Sequence, residues 1–375
     1  MPGLYVHIPF CAQKCRYCSF YSVAGAPADA IERYLNAVIA ETAAHGKKAA
    51  LPLTTLYIGG GSPSIVPPDI MKDFLSRLSD TLDLSHIAES TVEANPESFS
   101  RAWYDALMSL PALRISMGVQ SVNDDTLSVI GRRARIADCE RALLDARAFG
   151  VKNLSADIIL GLPGESCADT KAGMERLIAL AHPEHLSMYF LDLSGKETLS
   201  REWSSVLPDD EKNAHCYREA AALLSANGYE RYEIANFARK GYRSRHNDNY
   251  WALGEYIGLG ASASGHYGGR RYTNCADVNA YVACLEAGEE TAAEEELLTA
   301  DMIKEEFIFL SLRTSDGLNV LSYRDKFGEA IEARARTVLS VNARYLTFDG
   351  VRIRLTDEGF LFADEMAVQL MRSLE

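Results

Sequence analysis

Short apolar, β-rich runs recur through the first half of the chain, at 4–10, 54–59, 89–95, 114–120, 153–160 and 185–193. Between them lie amphipathic stretches at 29–45, 69–82, 99–110, 137–149, 168–181 and 209–227. The runs predict strands and the stretches predict helices with one apolar stripe each. Repeated strand–helix units imply parallel strands joined by right-handed crossovers. The expected class is α/β: a partial, TIM-like (β/α)6 barrel over residues 1–228, with a doubly wound sheet as the alternative. The barrel is preferred because the chemically distinctive residues fall at strand C-terminal ends, where barrel sites are built.

The pattern then changes. Tyr, Asn, Gly and Arg become dense over 229–290, which reads as strand and loop covering the barrel mouth. The acidic run 286–298 reads as a linker. Residues 300–375 give helices and then a hairpin around Asp349-Gly350, the dipeptide that suits a tight turn between alternating runs. A last helix follows, and the sum predicts a small winged-helix-like α+β domain. Hydrophobic residues at 47% and charged residues at 24% are ordinary for a globular protein. A net charge of -14 argues against a phosphate-backbone partner, so no nucleic acid is expected. No apolar run is long enough for a membrane span, and residues 1–5 lack the features of an export signal. The expected location is the cytoplasm.

Five of the eight cysteines are scattered, but Cys11, Cys15 and Cys18 fall together just after the first strand. A structural zinc site closes four ligands, and no fourth Cys or His follows nearby; His7 precedes the triplet on the strand. Three thiolates suit an iron–sulfur cubane with one iron left open. That iron can chelate the amino and carboxylate groups of S-adenosylmethionine (SAM). The spacing CxxxCxxC, with aromatic Tyr17 before the third Cys, resembles the signature of the radical SAM superfamily. The resemblance implies a 4Fe–4S cluster, SAM, and Tyr17 beside the adenine.

Other residues fit such a cofactor. Gly59-Gly60-Gly61-Ser62 follows the second strand, where bare backbone lets a ligand approach. Glu93, Gln120 and Asp157 are polar positions on the next three strands, costly there unless partnered. Arg132 after Gly131 is a candidate for the SAM carboxylate. The run Tyr5-Val6-His7-Ile8-Pro9-Phe10-Cys11, with Gly118-Val119-Gln120-Ser121 and 157–163, resembles the oxygen-independent coproporphyrinogen dehydrogenase (HemN-like) family over almost the whole chain. In that family Tyr5, Gly60, Gly61, Ser62, Glu93, Gln120, Arg132 and Asp157 match SAM-contacting positions.

Two departures matter. Cys18-Ser19-Phe20 puts Phe where the dehydrogenases have a fourth Cys, and the motif begins by residue 11 without their N-terminal extension. Both resemble the HemW-type heme chaperones, as does His246-Asn247-Asp248-Asn249-Tyr250-Trp251. The resemblance implies heme binding and transfer to an acceptor protein, with His246, Tyr250, Trp251 and His266 as candidate heme-binding residues. It also implies a flavodoxin- or ferredoxin-type electron donor if SAM is cleaved, and leaves a homodimer open. The alternatives are coproporphyrinogen III dehydrogenase itself and another radical SAM enzyme such as a methyltransferase.

Overall fold

The structure is a computed structural model that describes residues 2–46 and 52–373. The first and last residues of the expected three-part division, 1 and 374–375, lie outside the described residues.

All six expected strands form, as Gly3–Ile8, Thr55–Gly60, Glu89–Ala94, Leu113–Gln120, Leu154–Leu160 and His185–Phe190, and they pair in chain order, all parallel. Their alternation has a clear physical reading. One set of positions, including Leu56, Ile58, Val92, Ile115, Met117 and Leu186, is buried in the main hydrophobic core against the surrounding helices. The helix Pro68–Thr81 shows the other half of that contact: it buries Met71, Phe74, Leu75 and Leu78, one stripe at helical spacing. The opposite set faces the barrel interior and is polar. The strands align Tyr5 with Tyr57, Tyr57 with Thr91, Glu93 with Ser116, and Asp157 with Ser187. The barrel therefore has an apolar outside and a hydrogen-bonding lumen.

The segment 229–290 meets the mouth at the cysteine loop, where Val278 N donates to Tyr21 OH at 3.1 Å. It also extends the sheet at both edges and closes the opposite end. Asn236–Ala238 pairs antiparallel with the sixth strand, while Tyr256–Leu259 runs parallel beside the first. Ser264–Tyr267 and Arg270–Asn274 follow outward from it. The helix Arg245–Trp251 sits at the strand N-termini: its backbone N–H groups at Arg245 and His246 donate to Glu89 Oε1, on the first residue of the third strand. It forms a barrel floor. The acidic run is likewise not a linker throughout, because Ala292–Leu297 is an edge strand against Arg270–Asn274. Arg270 pairs with Glu295 at 2.7 Å and Arg271 with Glu296 at 3.5 Å, so the glutamates complete a cross-strand charge ladder. Charge on an outer strand also guards against edge-to-edge pairing.

The C-terminal unit has its own core, built around Ile308, Leu312, Tyr323, Ile353, Met366 and Leu370. Helix Ala300–Leu312, strand Leu318–Asn319 and helices Val320–Phe327 and Glu332–Val341 precede the hairpin strands Leu346–Phe348 and Arg352–Leu355. The first strand pairs with the last, which gives the winged-helix order. The final helix, Ala363–Arg372, packs back on the first.

Candidate functional site

The cysteine loop leaves the first strand at the barrel mouth and is tied to the far side of the rim. Arg16 N donates to Ile130 O at 3.0 Å, and Gln13 Nε2 to Gly131 O at 3.3 Å. The Arg16 guanidinium lies over the Trp203 ring and pairs with Glu202 at 2.5 Å. Cys11, Cys15 and Cys18 are free thiols, partly buried. Burial pushes the Cys11 and Cys18 thiols up, so loading metal there must release protons. Among the described residues no three side chains of ligating type close around one ion. A cubane asks for less convergence, since its three thiolates bind three different irons.

The glycine loop meets this one from the next strand. Ser62 Oγ lies 3.7 Å from Cys11 Sγ and accepts from Asn95 Nδ2 at 2.5 Å. Gly60 has φ +109°, and a Cβ there would stand 2.4 Å from His7 Cε1, so only glycine fits. Its N–H donates to Glu93 Oε2 at 3.0 Å, while Tyr57 OH donates to Glu93 Oε1 at 2.6 Å. Burial pushes the Glu93 carboxyl up to about 6, against the pull of the Tyr57 hydroxyl, with the nearby Asp157 charge adding to the rise. Asp157 accepts from Ser116 Oγ at 3.1 Å, and burial raises its carboxyl too. Tyr5 is beside them in the lumen, its OH 2.8 Å from His7 Nδ1 and its ring 6.0 Å from Tyr57.

Arg132 joins the two halves. It is 9% exposed, with Nη2 donating to Gly118 O at 2.5 Å and to Asn95 Oδ1 at 3.2 Å, and Nη1 lying 3.9 Å from Cys15 Sγ. Its Nε is buried without a partner. Gln120 sits at φ +70°, a strained backbone for a non-glycine residue. A Cβ on Gly118 would come within 2.9 Å of Gln120 Nε2 and 3.2 Å of Asn95 Oδ1. Tyr17 packs with Leu127, Ile130 and Trp203, close to Arg132. Thus Tyr17, Gly60, Gly61, Ser62, Glu93, Gln120 and Arg132 lie at or near the strand C-termini, while Tyr5 and Asp157 sit mid-strand in the lumen below them. The sequence reading missed Asn95 and Tyr57, which hold the cleft together. Asn95 was visible as a polar residue closing the third strand just before Pro96. Fit to a cluster with SAM is good: three thiols, an unpartnered buried guanidinium nitrogen, and a glycine backbone without room for side chains.

Three of the four heme candidates, His246, Tyr250 and Trp251, share the floor helix, and His266 lies on an outer strand. His246 is on the floor helix, 1% exposed, with Nδ1 bonded to Thr55 Oγ1 at 2.8 Å and Nε2 to Tyr250 OH at 2.7 Å. Burial lowers its pKa to about 3. Both ring nitrogens are engaged in hydrogen bonds within the fold, so iron ligation there would have to displace one of them. The Trp251 ring lies under Arg313 of the C-terminal unit. Tyr250 and His266 both line a second cavity of about 440 Å³ between the outer sheet strands and the C-terminal unit.

Barrel, rim and thiol loop define a radical SAM domain. The Radical SAM superfamily model matches residues 5–177, and the HemN C-terminal domain model matches 298–362. Several relatives carry the name heme chaperone HemW. The Lactococcus lactis protein is 35% identical over 95% of this chain and 93% of its own length. The Bacillus subtilis protein is 33% identical over 93% and 96%, and the Escherichia coli one 36% over 70% and 69%. The chain belongs to the HemW family. Among solved structures, the E. coli radical SAM enzyme coproporphyrinogen III oxidase (HemN) superposes with a TM-score of 0.87, at 21% identity, over 98% of this chain and 90% of that one. At that identity the match speaks for the fold.

Proposed function

We propose that this chain is a heme chaperone: it binds heme and hands it to an acceptor protein, and it carries a 4Fe–4S cluster on Cys11, Cys15 and Cys18 with SAM in the adjoining cleft. Likeness to proteins named heme chaperones runs through nearly the full chain. The observation that carries the choice against a dehydrogenase is Phe20, which stands 65% exposed where those enzymes have a fourth thiol.

Gly60, Gly61 and Ser62 would take the aminoacyl end of SAM, with the Glu93 carboxylate as counter-charge for its ammonium group. Arg132 would meet its carboxylate through the free Nε. Asp157 and Gln120 would face the ribose, and Tyr17 the adenine. When bound, the cluster supplies one-electron reduction of SAM. The chain's own residues orient the cofactor and close its polar atoms off from water. A flavodoxin- or ferredoxin-type donor would serve that reduction, the cytoplasm would keep the thiols reduced, and two copies would assemble as a homodimer.

The test is anaerobic reconstitution followed by heme titration and by separate assays for 5′-deoxyadenosine and coproporphyrinogen decarboxylation. The expected result is a cubane absorbance that Cys-to-Ser replacement at all three positions abolishes, with heme uptake and no porphyrinogen turnover. Turnover at enzyme-like rates would make the chain a dehydrogenase instead.

A further inference from the structure

The second cavity has a specific chemistry. Its walls come from three places in the chain: Tyr250 at the end of the floor helix, Tyr256 and His266 on paired outer strands, and Phe309, Leu310 and Met371 on the first and last helices of the C-terminal unit. Tyr250 and Tyr256 meet edge to face, centroids 4.5 Å apart, and the Tyr256 and His266 rings stand 6.4 Å apart. Aromatic and aliphatic walls of this kind suit a flat apolar ligand.

His266 differs from the other histidines in barrel elements. His7, His185 and His246 each have both ring nitrogens hydrogen-bonded. His266 is partly buried, lines the cavity, and makes no side-chain hydrogen bond among the described residues. An uncommitted imidazole beside aromatic rings in a cleft is an arrangement that can ligate a macrocycle's iron. Met371 on the facing helix adds a thioether, the other neutral ligand type for such iron.

Charge fixes the orientation. Glu305 and Glu306 also line the cavity and would repel carboxylates placed inside it. Arg271 is the one cation among the lining residues; it pairs with Glu306, and with Glu296 at 3.5 Å. A propionate-bearing macrocycle would therefore enter apolar edge first and leave its carboxylates at the open rim beside Arg271.

We propose that this inter-domain cavity is the heme site and that His266 is the axial iron ligand, with Tyr250 and Tyr256 as the ring platform. The inference rests on the chaperone reading and adds the location. His246 then acts as a positioning residue, holding the Tyr250 hydroxyl from behind.

Ferric heme is titrated into the full chain and the Soret band followed for wild type, His266→Ala and His266→Tyr. Wild type takes up heme with an imidazole-type spectrum. His266→Ala weakens uptake about tenfold or more. His266→Tyr keeps an iron-binding atom at the same place, so it still binds but with phenolate-type absorption, and it guards against a folding artefact in the alanine variant. Wild-type affinity and an unchanged spectrum in both variants would overturn the site, as would loss of uptake on Tyr189→Ala, at the half-exposed penultimate residue of the sixth barrel strand, with both His266 variants intact. No uptake by wild type would instead overturn the chaperone reading itself.

Discussion

At the scale of single residues, the lumen is a set of carboxylates kept in a costly place. Glu93 has a folded pKa of about 6 because burial outweighs its hydrogen bonds. An acid whose folded pKa lies above its unfolded value stabilises the fold while protonated and loses that contribution as pH rises through the folded pKa. Denaturant midpoints should therefore fall between about pH 4.5 and pH 6, and Glu93→Gln should make that part of the curve shallower, with Glu165, Glu233 and Asp248, also raised by burial, supplying the remainder. An unaltered profile in the variant would remove Glu93 as a source. The same variant takes the counter-charge from the proposed SAM site. Because a hydrogen bond to a charged group is worth about 1.5–3 kcal/mol, SAM affinity measured by calorimetry should drop about tenfold or more. Gly60→Ala tests the neighbouring backbone. At φ +109°, with the His7 ring 2.4 Å from the new methyl, it should lower the thermal midpoint and abolish SAM binding; retention of both would mean the loop relaxes freely.

At the scale of elements, the floor helix is what sequence reasoning left unread. Strands such as Leu154–Leu160 were legible because Leu154, Ala156, Ile158 and Leu160 alternate with Ser155 and Asp157, a local pattern with a local cause. The cysteine loop was legible because its spacing is itself the chemistry. Arg245–Trp251 is seven residues with one buried side chain and no apolar stripe. Its helicity comes from Ser244, whose hydroxyl accepts from Asn247 N, and from Glu89, distant in sequence, capping its first turn. The acidic strand Ala292–Leu297 was hidden for the same reason, since its partner charges lie on Arg270 and Arg271. Non-local partners leave no periodicity. The prediction at this scale is that His246→Ala destabilises the fold by about 2–4 kcal/mol, from a buried cavity and from Thr55 and Tyr250 hydroxyls left without their partner. Urea unfolding measures it. A loss below about 0.5 kcal/mol, the range of ordinary surface substitutions, would show that the floor is held by other contacts.

At the scale of the whole molecule, the two sites are joined through the lumen. Gly60 N–H and Tyr57 OH share the Glu93 carboxylate; the Tyr57 ring lies 5.2 Å from His246; and His246 Nε2 bonds the Tyr250 hydroxyl on the second cavity's wall. Each contact is between packed, at least partly buried groups on or beside the barrel strands. A cation placed at Glu93 would hold that carboxyl ionised, strengthen the bond from Tyr57, and set the ring against His246. Linkage then requires the effect to run both ways: SAM changes heme affinity by the factor by which heme changes SAM affinity. Heme dissociation constants with and without SAM should differ by about fivefold or more in wild type, at the lower end of ordinary coupling energies. Tyr57→Phe keeps the ring and removes only the hydroxyl, so the two constants should converge while each ligand still binds. Convergence in wild type would mean that the sites are independent. An undiminished ratio in the variant would mean that the coupling passes through the sheet or the C-terminal unit and not through this tyrosine.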